Sequence, residues 1–299
     1  MRGPGTPTID QMQVLIAVAD EGGLAAAARR LRRATSAVSY AIDNLEAQLG
    51  LKLFERVTTR RPRLTRGGQA VLADARAVLE QLDGLKARVR GLSEGLEAEV
   101  ALAVDVMLPH DRLVDALAGF RAAFPTVALR LHAEALGGVT QLLRSGEAVL
   151  GVTHTENIDA TGLEQAPAGV VRLIPVAAPG HPLARRNSRE RPQDHIQLVL
   201  SDRTPLTAGR DFGVLAAHSW RLADLSTKHA LLLAGLGWGN MPEFLVRDDL
   251  KARRLVLLKT GGLAGADYRF QAVWRRDTPP GPAGRWLVQR FTAQNRAQG

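Results

Sequence analysis

Between Leu24 and Arg66 the chain reads LAAAARRLRRATSAVSYAIDNLEAQLGLKLFERVTTRRPRLTR, and the periodicity of that stretch leaves few choices of fold. Leu24, Ala27, Ala28 and Leu31 fall at i, i+3, i+4 and i+7, the spacing of one buried helix face. Val38, Ile42, Leu45 and Leu49 again step by four and three, and Arg32-Arg33-Ala34-Thr35 is too short for anything but a turn between the two helices. The pattern predicts a helix-turn-helix. Its second helix turns Ser36, Ser39, Tyr40 and Asp43 outward, and short polar groups near a helix N-terminus can approach base edges and phosphates in a major groove. Gly50 then occupies the position that tolerates left-handed backbone at a helix end. Val57–Thr65 reads as a short two-stranded wing with Arg60, Arg61 and Arg63 near its tip. A charge run alone is usually solvated surface; directly after a helix-turn-helix pattern it points to DNA phosphates. The candidate DNA contacts are therefore Thr35, Ser36, Ser39, Tyr40 and Asp43 on the helix, with Arg60, Arg61, Arg63 and Thr65 on the wing.

Charge placement agrees. Residues 1–90 hold 15 Lys/Arg against 9 Asp/Glu, whereas the other 209 residues hold 24 against 21. Positive charge is densest where phosphates would be neutralised. A chain of 299 residues suggests two or three folding units. No apolar run approaches the roughly 18 residues needed to span a membrane, and MRGPGTPTID has no apolar signal segment; a cytoplasmic protein is expected. With no cysteine, disulfides, thiolate nucleophiles and cysteine metal sites are excluded.

Ahead of the motif, Ile9–Glu21 is predicted as an amphipathic helix with Met12, Leu15, Ile16 and Ala19 inward, closing a three-helix core. From Gly68 to about Leu92 runs a proline-free helix whose Val71, Ala75, Val78, Leu82, Leu85, Val89 and Leu92 step by four and three. This heptad seam predicts pairing with a second copy of the chain. Ser93-Glu94-Gly95 reads as a hinge. Beyond it strands and helices alternate: strands at 100–106, 128–133, 149–153, 170–177, 197–200, 254–258 and 268–274, and helices at 112–124, 139–145, 227–235 and 285–294. Such alternation predicts open α/β sheets.

AAARRL, SAVSYAIDNLEAQLGLKLFER and RLT followed by Gly67-Gly68 resemble, in order and spacing, the winged helix of LysR-type transcriptional regulators. The chain departs from that family at Gly23-Leu24 (usually Ser-Phe), Ala34 (a serine cap), Tyr40 (a long basic or amide side chain) and Arg66 (an acid). Thr35 or Ser36 is then expected to supply the missing cap. PVAAPGHPLA and LLLAGLGWGNMP extend the resemblance to the effector-binding region, with Val149 standing where that region often has an acid. The resemblance implies a winged helix-turn-helix over 8–66, a dimerising linker helix over 67–93 and an effector domain over 96–299. That domain would have two α/β subdomains of periplasmic-binding-protein type, one at about 96–166 plus 270–299, the other at about 167–269. It also implies double-stranded DNA and a small-molecule effector as partners, with homodimers assembling into tetramers.

Ligands of open α/β sheets sit at the carboxyl ends of strands. This directs attention to Asp105, Val106, Met107, Ala135, Leu136, His154, Ser201, Arg203 and Trp238 as effector contacts, although each can also be read as a cap, a surface charge or packing. No cofactor, metal or catalytic group is expected. The seven histidines show no HxH or HExxH spacing. GLGWG lacks a dinucleotide fingerprint. GLSEG carries Ser93 in the GxSxG string but has a helix, not a strand, before it. The competing reading is an α/β solute-binding or enzymatic protein with a basic N-terminal module.

Overall fold

The computed structural model describes residues 5–55, 62–93, 95–155, 160–185, 188–201, 204–207, 213–259 and 263–293. The chain forms two compact units, Met1–Arg90 and Gly91–Gly299.

The first unit comprises α1 (Ile9–Glu21), α2 (Leu24–Leu31), α3 (Thr35–Leu49) and most of α4 (Arg66–Ser93). A capping box that apolar periodicity could not reveal starts α1: Thr8 Oγ1 accepts from Gln11 N–H, and the Gln11 side chain accepts from Thr8 N–H. Its inward face is rotated from the expected stripe. Val14, Leu15, Ala17 and Val18 are buried, while Met12, Ile16 and Ala19 are only partly covered. The cause is that both α2 and α3 pack against α1, so more than one stripe is covered. On α2 and α3 the expected faces are the covered ones: Ala27, Ala28, Val38, Ile42 and Leu45 join Leu53, Leu72 and Ala75 in a single core.

A buried carboxylate fixes the turn after α3. Glu46 Oε1 accepts from the N–H of Leu53 (2.8 Å) and of Phe54 (3.4 Å), and Oε2 from the Lys52 ammonium. Burial pushes its pKa up, but those hydrogen bonds, Lys52 first, outweigh it and hold the carboxyl below its ordinary range. Glu46→Ala strands two backbone donors and should cost about 1–3 kcal/mol. Because the folded pKa is the lower one, this stabilisation is complete above the unfolded pKa and disappears as pH falls through the folded one. The melting-temperature gap between wild type and variant should therefore close in acid.

Thr65 begins α4. Its hydroxyl accepts from Gly68 N–H (2.8 Å) and donates to the Lys52 carbonyl (2.7 Å), while its own N–H donates to the Leu53 carbonyl (2.9 Å). Helix and wing strand approach so closely that a Cβ on Gly68 would lie 2.0 Å from the Leu53 oxygen. Only glycine fits. Further along α4, Leu72 and Ala75 are buried against the core, whereas Val78, Leu85, Val89 and Leu92 are exposed.

The second unit is an open α/β sheet. In chain order its elements are β1 (Glu99–Asp105), α5 (His110–Ala123), β2 (Ala128–Glu134), α6 (Gly137–Ser145), β3 (Leu150–Thr153) and β4 (Leu163–Ala177), then β5 (Gln197–Leu200), β6 (Ser219–Leu222), α7 (Leu225–Leu233), β7 (Trp238–Pro242), α8 (Glu243–Lys251), β8 (Val256–Leu257), β9 (Ala266–Arg275) and α9 (Pro282–Ala293). The strands lie in the order β2-β1-β3-β9-β4-β7-β5-β6, with β8 beside β4. At one end β1 runs parallel to β2 and β3; at the other β5 runs parallel to β6 and β7. Antiparallel β4 and β9 join the ends, with a register shift between Pro167 and Gly169. β4 starts at Leu163 rather than Val170, and β6, β7 and α8 were not expected at all. β7 (WGNMP) and the solvent-facing β6 (SWRL) lack the alternation that marks a strand.

Candidate DNA interface and ligand cleft

The outward face of α3 is as the sequence implies: Thr35, Ser36, Tyr40 and Asp43 are exposed, Tyr40 by 68%, and Ser39 is half-buried. Capping is not. α3 begins at Thr35, and Ala34 takes the N-cap position without any side-chain hydrogen bond, so neither Thr35 nor Ser36 substitutes for the absent serine. Among the described residues the N–H groups of Thr35 and Ser36 find no acceptor. They are free donors at the positive end of a 15-residue helix, a geometry suited to a phosphate oxygen. In the preceding turn, Arg33 is held by Asp10 through two hydrogen bonds of 2.6 and 2.9 Å. Phe54 and Leu64 pair as an antiparallel bridge at the base of the wing, and Arg63 is exposed beside it. Arg60 and Arg61 lie outside the described residues. Thr65 has another occupation: its hydroxyl caps α4 from within the protein.

In the sheet domain, a cavity of about 240 Å³ lies where loops after β1 and β3 face α7, β5, β7 and β9. Met107, Leu136 and His154, all expected, line it. The His154 ring stacks on Tyr268 at 4.3 Å between centroids, and its Nδ1 donates to the Arg269 carbonyl (2.9 Å). Leu136 holds a left-handed φ of 47° at the start of α6, a conformation that costs a non-glycine residue of order 1–3 kcal/mol. Such strain is tolerated where surrounding contacts over-determine it. Ser93, by contrast, ends the long α4 instead of following a strand.

Several expected contacts are corrected. Asp105 is buried at the end of β1, accepting from the Tyr268 hydroxyl (2.7 Å) and from Met107 N–H (2.8 Å). Burial lifts its carboxyl to about 6 against the lowering effect of those two bonds. It positions Tyr268 and does not face the cavity. Ala135 is core. Val106 faces a separate cavity of about 300 Å³ bordered by α7 and α8. Trp238 is no cleft loop: it is fully buried in β7, and its indole N–H donates to the Pro192 carbonyl (3.0 Å). Asn240, two residues further along the same strand face, lines the cavity in its place. Ser201 N–H donates to the Leu222 carbonyl (2.8 Å), and the residue lies outside the cavity lining. Arg203 lies outside the described residues. Val149, exposed just before β3, does not line the cavity either.

Sequence reasoning missed Lys228 and Gln197, which with Asn240 supply polar lining. Gln197 ties the loop at 213–216 to the sheet: Nε2 donates to the Gly213 carbonyl (2.8 Å), and Oε1 accepts from Leu215 N–H (2.7 Å) and Ala216 N–H (3.1 Å). Lys228 is 3% exposed, and its ammonium donates to the Asn240 carbonyl (2.7 Å). Burial alone lowers its pKa to about 8. Its stem crosses β7 at Gly239, where a Cβ would sit 3.2 Å from Lys228 Cε and 2.6 Å from the Leu198 oxygen. The available signal was the single lysine in the helix LSTKHALLL, just ahead of the run ALLL.

Residues 93–296 match the LysR substrate binding domain, and residues 9–69 match the lysR-family bacterial regulatory helix-turn-helix. The HTH-type transcriptional regulator AceR of Acinetobacter baumannii is 28% identical over 295 residues, covering 94% of this chain and 95% of that protein. The HTH-type transcriptional activator AllS of Klebsiella pneumoniae is 30% identical over 260 residues, covering 83% and 93%. Full-length LysG of Corynebacterium glutamicum superposes with a TM-score of 0.51 at 21% identity, covering 98% of this chain and 99% of that one. With an N-terminal helix-turn-helix and a C-terminal effector domain both matched, the chain belongs to the LysR-type family of DNA-binding transcriptional regulators.

Proposed function

We propose that the protein binds a dyad-symmetric DNA site as a homodimer held through α4, and that two such dimers form a tetramer. α3 enters the major groove with Ser36, Ser39, Tyr40 and Asp43 toward base edges, while Thr35 and the α3 N-terminus meet a phosphate and Arg60, Arg61 and Arg63 grip the flanking backbone. The uncapped, solvent-facing N-terminus of α3 is the observation that carries this reading. A regulator that works on chromosomal DNA acts in the cytoplasm. No helix among the described residues is long and apolar enough to cross a membrane.

The effector is proposed to sit in the 240 Å³ cavity, between a subdomain of about 96–166 plus 270–299 and one of about 167–269. The chain passes between them along β4 and returns along β9. Support comes from the parallel strand sets at the two ends of the sheet, and from the register shift at Pro167/Gly169, which marks a bend point. Ligand-dependent rotation about these two strands would change the spacing of the DNA-binding heads.

DNA binding is tested by fluorescence anisotropy on a sequence selected from a random pool. Arg60/Arg61/Arg63→Ala is expected to weaken binding on all sequences alike and to flatten the slope of log affinity against log salt by about 0.9 for each phosphate no longer neutralised. An unchanged slope would remove the wing from the interface.

A further inference from the structure

The cavity holds a buried cation that packing alone does not explain. Lys228 is 3% exposed, yet among the described residues its ammonium makes one hydrogen bond, to the Asn240 carbonyl, and no ion pair. An ammonium has three N–H donors, so two stay without an acceptor there. Buried charges are ordinarily paired. Asp267, the acid among the cavity residues, is engaged by Arg172 (3.0 Å) and Arg269 (3.6 Å) instead. Met107, Leu136, Leu198 and Leu200 give the same space an apolar wall, beside the polar Gln197, Asn240 and His154. A cavity of about 240 Å³ is smaller than the roughly 300–1,000 Å³ of drug-sized ligand sites.

From this arrangement we infer that the effector is a small monoanion, a carboxylate on an apolar body, whose charged group takes the two remaining N–H donors of Lys228. The apolar body lies against Met107, Leu136, Leu198 and Leu200. Asp267 lines the same cavity and would repel a second negative charge, so dianions are disfavoured. The inference rests on the cavity being the effector site, and adds the chemical class admitted there. Burial holds the Lys228 pKa at about 8. The cation is therefore present at neutral pH, and an arriving anion raises its pKa and stabilises the charged form.

The test uses the full-length protein and thermal shift, with straight-chain monocarboxylates from acetate to octanoate and benzoate at millimolar concentration. Each is paired with its primary amide. One or more acids should raise the midpoint while the matching amide does not. Affinity for that acid should fall about tenfold per pH unit above the Lys228 pKa. Lys228→Met should weaken it at least about tenfold, and the pH dependence in wild type stands as the readout if that variant does not fold. An amide that binds as well as its acid, in a manner blocked by Leu198→Trp, overturns the anion requirement and leaves the cavity as the effector site. Acid binding that persists in both Leu198→Trp and Lys228→Met lies elsewhere and overturns both. Absence of a shift from every carboxylate overturns the inference.

Discussion

Val78→Glu combined with Leu85→Glu is expected to convert the protein to a monomer and to lower its affinity for an intact DNA site by roughly 10²–10⁴-fold. The reasoning begins with the helix. α4 runs 28 residues, and its first turns bury Leu72 and Ala75 against the helix-turn-helix core. Beyond that point Val78, Leu85, Val89 and Leu92 continue the four-and-three spacing yet are exposed, by 39%, 53%, 54% and 50%. Apolar residues kept at heptad positions on a solvent face fit a helical partner, and a second copy of the same helix has the matching spacing. Two DNA-binding heads on one dimer bind with the effective concentration set by their tether, so removing the partner forfeits that multiplication even though each head keeps its contacts. Both substitutions lie outside the core, so the melting temperature of the helix-turn-helix should stay near that of wild type. Light scattering gives the mass, and anisotropy on full-site and half-site DNA gives the affinities. Equal loss on both DNAs would place the damage in the head, and an unchanged dimer mass would exclude the seam as the interface.

A feature was legible in the sequence where its signal was local. The inward faces of α2 and α3 emerge from spacing alone, because a helix buried on one side records that side in its sequence. α1 does not yield to the same reasoning, because it is covered from two directions. The same distinction governs the ligand cavity. Met107, Leu136 and His154 were reachable because each sits in a loop just beyond the carboxyl end of a strand. Trp238 reads as a loop residue because WGNMP lacks strand alternation, and only the packing of β7 between β4 and β5 buries it. Asp105 was placed correctly along the chain but not in its direction: the Tyr268 hydroxyl that binds it comes from a strand 163 residues away. Lys228 is the single lysine of α7, but its burial depends on β7 crossing beside it at Gly239. Long-range contacts decided each of these cases, and periodicity holds no record of them.

Lys228 carries the last prediction, which concerns the protein without ligand. Its folded pKa is depressed from 10.5 to about 8 by burial. For a base whose folded pKa is the lower one, the unfolded state binds more protons between the two values, and stability therefore rises with pH across that window. At 1.36 kcal/mol per unit, the window corresponds to roughly 3 kcal/mol. Lys228→Met replaces the ammonium by a neutral side chain of similar length and removes this dependence. The variant should be the more stable form at neutral pH, and its advantage should shrink by roughly 3 kcal/mol between about pH 8 and pH 10.5. Urea titrations of the two proteins at matched pH values measure the difference, and other groups titrating in the window cancel in it. A variant less stable than wild type at neutral pH would mean that the bond to the Asn240 carbonyl outweighs the cost of burying the charge. In that case the lysine is a tie between α7 and β7. The expected result instead describes a residue whose burial destabilises the empty protein, as is common where a site is built to receive a ligand.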